Sequence, residues 1–324
     1  MRAPTGTMLM TGAGRGLGRA AAEHLLATHP ETHLLVAARG PGAERLARDL
    51  AATTGNPNVS AVSCDLASTA DIRAAAHEVR RRVDAGEVPP LSGFLGNAGL
   101  QMTSRTQATP DGCEMTFAVN VLANYYVLRL LWDLFTAPAR ITLVTSDTHF
   151  GDLRHNLGMI PPPRWENPAQ LAEPREGTRA RSASEGRTAY STSKLAVLYL
   201  VHALARRLPE GVDVYGFNPG YVPGTGLTRD AGPIVRALSR TLLHTLRATP
   251  LALSPTAAGI LLADTACGAR PGETGAYVDR RRTAPSAPES YDRPREEQLW
   301  STLADLCALP TEPEPTEQPG NDPG

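Results

Sequence analysis

The stretch Thr11-Gly-Ala-Gly-Arg-Gly-Leu-Gly18 restricts the possible folds more than any other part of this chain. Residues 7–11 are a short apolar run and residues 19–27 are rich in Ala and Leu, so the pattern predicts strand, glycine turn and helix in that order. Such a junction aims helix N-terminal amides at a ligand, and the missing side chains at Gly12, Gly16 and Gly18 let a pyrophosphate approach the backbone. Leu17, inside the loop, is expected to touch the same ligand. A glycine triplet alone is weak evidence; the flanking strand and helix favour dinucleotide binding over a plain turn.

The alternation continues downstream. Residues 33–38, 59–65, 91–96, 140–145, 212–217 and 275–279 read as further strands. Residues 43–52, 68–83, 113–135, 190–208 and 255–267 read as helices. This order predicts an α/β fold, a single Rossmann-type doubly wound parallel sheet with helices on both faces. No internal repeat or second core is visible, so residues 1–309 are expected to form one domain. Residues 310–324, TEPEPTEQPGNDPG with the preceding Pro, have too little apolar surface to fold and are expected to be disordered.

Two stretches interrupt the pattern. Residues 147–188 lose periodicity and carry Pro161-Pro162-Pro163 with Arg175, Arg179, Arg181 and Arg187. They are read as an insertion beside the site mouth, either a lid or a solvated loop, whose arginines bind an anionic substrate or nothing. Residues 221–253 include helical spacing and are read as a possible lid.

Composition narrows the partners. The 324 residues carry a formal net charge of −1 and no long basic run, which gives nucleic acid or a membrane surface no electrostatic support. A small molecule is the expected partner. Cys64, Cys113, Cys267 and Cys307 lie too far apart for a metal knuckle and read as buried hydrophobes in a reduced, cytoplasmic setting. Neither a signal region nor a run near the ~20 apolar residues of a membrane span is present. The eight histidines are scattered along the chain, so no metal is expected.

Several side chains fall where strands end. About 20 residues after the glycine motif an acidic residue would suit NAD through the ribose 2′-hydroxyl. This chain has Arg39 there and Arg15 inside the loop, two guanidinium groups that suit a 2′-phosphate and so favour NADP(H). Asp65, with Leu66 beside it, either accepts a bond from adenine or caps the next helix. Asn97-Ala98-Gly99 lets the backbone lie close to a cofactor. Asn120 interrupts an apolar helix, where its amide either bonds a neighbouring backbone carbonyl or holds a water near Lys194. Ser146 ends a strand where open parallel sheets bind ligands. Tyr190 and Lys194 lie one helical turn apart, so the ammonium is expected to draw the phenol pKa toward the working range. Pro219, Gly220 and Val222 follow the sixth strand, with Thr225 placed to meet the cofactor.

Taken in order, these motifs resemble the short-chain dehydrogenases/reductases over residues 7–279. The glycine loop is similar to that family's TGxxxGxG, and Asn97-Ala98-Gly99 to its NNAG, with Gly96 replacing the first Asn. Asn120, Ser146, Tyr190 and Lys194 match the catalytic tetrad, and Pro219-Gly220 the post-strand PG motif. The resemblance implies Tyr190 as general acid/base and Ser146 polarising the substrate oxygen. It also implies Lys194 holding the nicotinamide ribose, and Asn120 anchoring a relay water. Arg39, the SDTH run at 146–149, the insertion and the segment 296–300 look like the retinol dehydrogenase and protochlorophyllide reductase branch. A homodimer through the helices at 113–135 and 190–208 is expected. The implied activity is hydride transfer between NADP(H) and a carbonyl or secondary alcohol. The alternatives are reduction of a conjugated C=C bond and a non-catalytic NADP(H)-binding regulator.

Overall fold

The computed structural model describes residues 4–156, 158, 160–178, 181–222 and 253–313. Seven parallel strands and one antiparallel strand form a single sheet in the order β3-β2-β1-β4-β5-β6-β7-β8. The strands are β1 Gly6–Thr11, β2 Thr32–Ala38, β3 Val59–Ser63, β4 Leu91–Gly96, β5 Phe135–Val144, β6 Val212–Asn218, β7 Tyr277–Asp279 and β8 Arg282–Ala284. The order reverses between β1 and β4, which opens a crevice at their carboxyl ends, so the expected doubly wound sheet is present.

Helices α1 Gly16–Thr28 and α2 Gly42–Thr54 cover one face, joined by Pro255–Cys267, numbered α9 here. Gly259 of α9 lets it approach α1 closely, because a Cβ there would lie 2.6 Å from the Ala20 Cβ and 2.7 Å from the Leu17 carbonyl. The other face carries α3 Thr69–Asp84, the short α4 Met115–Phe117, α5 Ala123–Leu130 and α8 Ala183–Ala205. Within 147–182 lie two short helices, α6 Leu153–Asn156 and α7 Pro168–Ala172. A last helix, α10 Arg293–Leu306, returns over α8.

Three boundaries differ from the sequence reading. The helix expected over 113–135 is broken: a π-helical segment, Ala118–Leu122, separates α4 from α5. An apolar surface on all sides gives no periodic signal by which to see that break. Helix α8 begins at Ala183, not Tyr190, because Ser182 caps it by accepting from the Glu185 N–H at 3.1 Å. Part of the supposed loop is thus the first turns of a helix. Pro310 and Thr311, assigned above to a disordered tail, are held as well. Arg129 donates to the Pro310 carbonyl at 2.6 Å, and Trp300 Nε1 to that of Thr311 at 2.7 Å.

The dimer expectation meets a physical obstacle. Every residue of α8 from Tyr190 to Leu204 is buried within the chain itself. Trp300 of α10 packs edge-on against Tyr125 of α5 at 4.9 Å and Trp132 at 6.4 Å, and Trp165 of the insertion packs against Tyr199 at 4.7 Å. The apolar faces offered to a second subunit are covered by α10 and by the insertion. Trp300, 1% exposed, is the centre of that cover. Trp300→Ala is expected to lower unfolding free energy by about 3–5 kcal/mol, read from urea denaturation.

Candidate active site

The glycine loop is built by close contact. Gly12 has φ +73 and Gly16 φ +55, left-handed values that favour glycine. A Cβ at Gly18 would lie 2.1 Å from the Gly12 carbonyl oxygen and 2.3 Å from Asn97 Nδ2. That Nδ2 donates to the carbonyls of Gly12 at 3.0 Å and Thr11 at 3.3 Å, and the Ala98 N–H donates to Thr11 Oγ1 at 3.1 Å. The start of α1 is therefore locked against the end of β4. Arg15 caps α1 with extended backbone, and no acidic residue occupies the first turn. Arg15 and, after β2, Arg39 are exposed. Among the described residues neither has an ion-pair partner. An open helix N-terminus with two unpaired guanidinium groups fits a phosphorylated dinucleotide.

Asp65 has a local role. Its Oδ1 accepts from the Ala67 N–H at 3.1 Å, while Ser68, not Asp65, caps α3. Leu66, half-buried, packs at the edge of the α3 core.

Gly99 links the loop to the tetrad. A Cβ there would lie 3.3 Å from Asn120 Oδ1 and 3.5 Å from Lys194 Nζ. Asn120 sits in the π segment and is 1% exposed. Its Oδ1 accepts from the Leu100 N–H at 2.9 Å, and its Nδ2 donates to the Leu100 carbonyl at 3.0 Å and Ser193 Oγ at 2.9 Å. The amide bonds a neighbouring backbone carbonyl and so ties residue 100 to α8. Asn124 donates in turn to the Asn120 carbonyl at 2.8 Å. The Oδ1 of Asn124 lies 2.4 Å from where a Gly96 Cβ would stand, which explains why Gly96 replaces the family's asparagine. The two amides compete for one space.

Ser146 and Tyr190 approach each other at the sheet edge, near enough for the Ser146 hydroxyl to favour the Tyr190 phenolate. Ser146 Oγ accepts from the Thr148 N–H at 3.3 Å. Burial pushes the Tyr190 phenol up to about 12, opposed by the nearby Ser146 side chain. Burial also pushes Lys194 down to about 8. Lys194 Nζ donates to the Val144 carbonyl at 2.9 Å and lies 5.5 Å from the Tyr190 ring centroid. The expectation that this ammonium lowers the phenol pKa is thus not met in this geometry; desolvation dominates.

Past β6, the Gly220 N–H donates to Asn218 Oδ1 at 3.1 Å, and Gly220 has φ +70. Asn218 Nδ2 bridges Asp147 Oδ1 at 2.5 Å and Asp279 Oδ1 at 2.9 Å, joining the ends of β5, β6 and β7. Burial raises the Asp147 pKa. Pro219 and Gly220 therefore lie at the edge that carries Ser146, and Val222 is buried just beyond. Thr225 and most of the possible lid at 221–253 lie outside the described residues.

Of the arginines named in the insertion, Arg175 is not a free anion receptor, whereas Arg181 is exposed with no ion pair among the described residues and Arg179 lies outside them. Glu166 pairs with Arg175, with Arg164 at 3.3 Å and with Arg105 at 3.7 Å. Among the described residues no group of three or more His, Cys, Asp or Glu could hold a metal, and no helix is long and apolar enough to cross a membrane.

With this geometry in view, the comparisons with known proteins are decisive. A family model described as short chain dehydrogenase matches residues 6–153. Human retinol dehydrogenase 13 is 30% identical, aligned over 98% of this chain and 88% of its own length. The chain belongs to the short-chain dehydrogenase family. A Streptomyces sp. (strain C5) protein provisionally named a daunorubicin C-13 ketoreductase is also 30% identical, over 93% of this chain and 92% of its own. Among solved structures, NADPH-bound carbonyl reductase from chicken fatty liver shares the fold, with TM-score 0.59 and 18% identity over 87% of this chain and all of that one.

Sequence reasoning passed over His149, noting only the SDTH run that contains it. The side chain is fully buried, and burial pushes its pKa down to about 4 from an ordinary 6.5. His155 and Asp152 are the charged groups nearest in effect. A depressed pKa means that the unfolded chain takes up the proton first as pH falls. The contribution to stability is therefore intact above about pH 6.5 and lost toward pH 4. Wild-type protein is expected to lose about 3 kcal/mol more than His149→Gln between these limits, read by urea unfolding at both.

Proposed function

We propose that this member of the family is an NADP(H)-dependent oxidoreductase. It moves a hydride between nicotinamide C4 and a carbonyl or secondary-alcohol carbon of a small organic substrate. The proximity of the Ser146 and Tyr190 hydroxyls carries this reading, because Ser146 lies near enough to favour the Tyr190 phenolate just past the carboxyl end of β5, with Lys194 one helical turn from Tyr190.

Bound NADP(H) would supply or accept the hydride. The backbone at Gly12, Gly16, Leu17 and Gly18 would receive the pyrophosphate, and Arg15 and Arg39 the 2′-phosphate. Asp65 and Leu66 would border the adenine, and Asn97, Ala98 and Gly99 would line the inner wall. Lys194 would hold the ribose, with Pro219, Gly220, Val222 and Thr225 toward the nicotinamide. In carbonyl reduction Ser146 donates a hydrogen bond to the substrate oxygen while Tyr190 gives that oxygen its proton; in alcohol oxidation Tyr190 takes the proton back. A phenol held protonated by burial is suited to the acid role. Asn120 keeps the wall at Gly99 and Leu100 in register with α8.

The names of the retinol and ketoreductase relatives support an alcohol or ketone as the reacting group. The NADPH in the name of the carbonyl reductase neighbour agrees with Arg15 and Arg39. All four cysteines are unpaired, which agrees with a reducing, cytoplasmic setting.

The test is oxidation of NADPH over a panel of ketones, aldehydes and enones. Tyr190→Phe is expected to lower kcat/KM by about 10²–10⁴-fold while NADPH still binds. Turnover that survives this change, or selective use of enones, would overturn the carbonyl reading. Arg39→Asp is expected to weaken NADPH binding about 10–100-fold with little effect on NADH, measured by titration of cofactor fluorescence.

A further inference from the structure

We propose that His149 is a positioning residue for the Ser146–Tyr190 pair, its neutral imidazole tying the backbone of Ser146 to a C-terminal turn that also grips helix α8. This inference rests on the roles given to Ser146 and Tyr190 above.

The tautomer follows from a fixed donor. The Ala287 N–H can only donate, and it reaches His149 Nε2 at 3.1 Å. Nε2 is therefore the bare nitrogen, and Nδ1 carries the proton that it donates to the Ser146 carbonyl at 2.6 Å. The main-chain N–H of His149 reaches the same carbonyl at 3.1 Å. One residue thus engages both lone pairs of the Ser146 carbonyl and fixes the plane of the peptide that follows it. Edge-on packing against Tyr277, with centroids 5.1 Å apart, holds the imidazole in place.

The turn on the far side of the imidazole is itself rigid. Ser290 Oγ donates to the Ala287 carbonyl at 2.6 Å, and the Ser290 N–H reaches it at 2.8 Å. The same turn holds α8 at two points. Tyr199 donates its hydroxyl proton to the Glu289 carbonyl at 2.8 Å, and His202 Nδ1 bonds the Ser290 carbonyl at 2.9 Å. Tyr199 and His202 lie on the helix that bears Tyr190. One short segment, Ala287 to Ser290, therefore contacts both supports of the reacting pair.

That arrangement answers a geometric need. Ser146 lies two residues past β5 and Tyr190 lies on α8, with the insertion between them, so chain connectivity does not set their separation. A misplacement of about 1 Å at such a pair costs on the order of 10²-fold in rate. The brace through His149 supplies the missing constraint.

The experiment compares His149→Leu, His149→Gln, Ala287→Pro and Ser146→Ala, using the carbonyl of the panel that wild type reduces fastest. Ala287→Pro removes the N–H that Nε2 accepts, at a residue whose φ of −55 is within the range of proline, and sets the ring Cδ against the imidazole in its place. Glutamine offers one donor and one acceptor, as neutral imidazole does, without titrating. His149→Leu and Ala287→Pro are expected to lower kcat by roughly 10–100-fold, with KM and the NADPH dissociation constant within about twofold of wild type. His149→Gln is expected to recover most of the loss. Independently of turnover, ¹⁵N NMR of the imidazole at about pH 7 is expected to report the neutral, Nδ1-protonated form.

An unchanged kcat in either His149→Leu or Ala287→Pro overturns the inference, as does a kcat loss that merely follows loss of NADPH binding. An Nε2-protonated or charged imidazole overturns it as well, even if His149→Leu fails to fold. Ser146→Ala separates the two levels of argument. If it abolishes turnover while His149→Leu does not, only the brace falls. If it leaves turnover intact, the reading of the site falls and takes the brace with it.

Discussion

Gly18 has no room for a single methyl group, and much of the molecule follows from that. With a would-be Cβ 2.1 Å from the Gly12 carbonyl, helix α1 can approach the strand ends only because the side chain is absent. That approach lets the Asn97 amide bond the Thr11 and Gly12 carbonyls, fixing the end of β4 against the loop. Gly99, two residues on, then lies against Asn120 and Lys194. A tight helix start is thereby connected, through packed neighbours, to Asn120 and Lys194. The glycine loop proposed to take the phosphates and the site proposed for the chemistry are one continuous piece of packing.

The parts of this architecture that were readable in the sequence are those in which a local pattern has one solution. The strand, glycine turn and helix at residues 7–27, and the alternation after it, allow little besides a doubly wound sheet. Tyr190, Lys194 and Ser146 were legible because helix periodicity and strand ends dictate their place. The π segment at Ala118–Leu122 was not, since a helix buried on all sides carries no periodic mark of its break. The start of α8 was visible but unread: Ser182 and Glu185 have the spacing of a capping box. Helix α10 was also within reach, with Asp292 as cap, Pro294 in the first turn, and Leu299, Trp300 and Leu303 at helical spacing. The bonds of His149 were out of reach, because its partner Ala287 lies far along the chain and donates through its backbone.

Electrostatics separates the two arginine groups that the sequence displays. Arg175 looks like an anion receptor until Glu166 is seen beside it, paired also with Arg164, after which it reads as part of a folded cover held by ion pairs. Arg15 and Arg39 stay exposed, without such a partner among the described residues, so their charge is open to a ligand. The same discrimination applies to Lys194 and Tyr190, where burial outweighs proximity. Neither group's state could be read from the i, i+4 spacing alone.

A later-made part of the chain supports the proposed site. Ser146 and Tyr190 are translated well before the turn at Ala287 to Ser290 and before α10, so a nascent chain has both hydroxyl groups but neither the brace nor the cover. In that interval Tyr125, Tyr199 and the apolar length of α8 have no α10 or C-terminal turn to shield them. Exposed apolar surface of this kind invites association with other chains and capture by chaperones. Order of synthesis therefore separates having the reactive groups from being able to use them, and an interrupted chain would hold the former while lacking the latter.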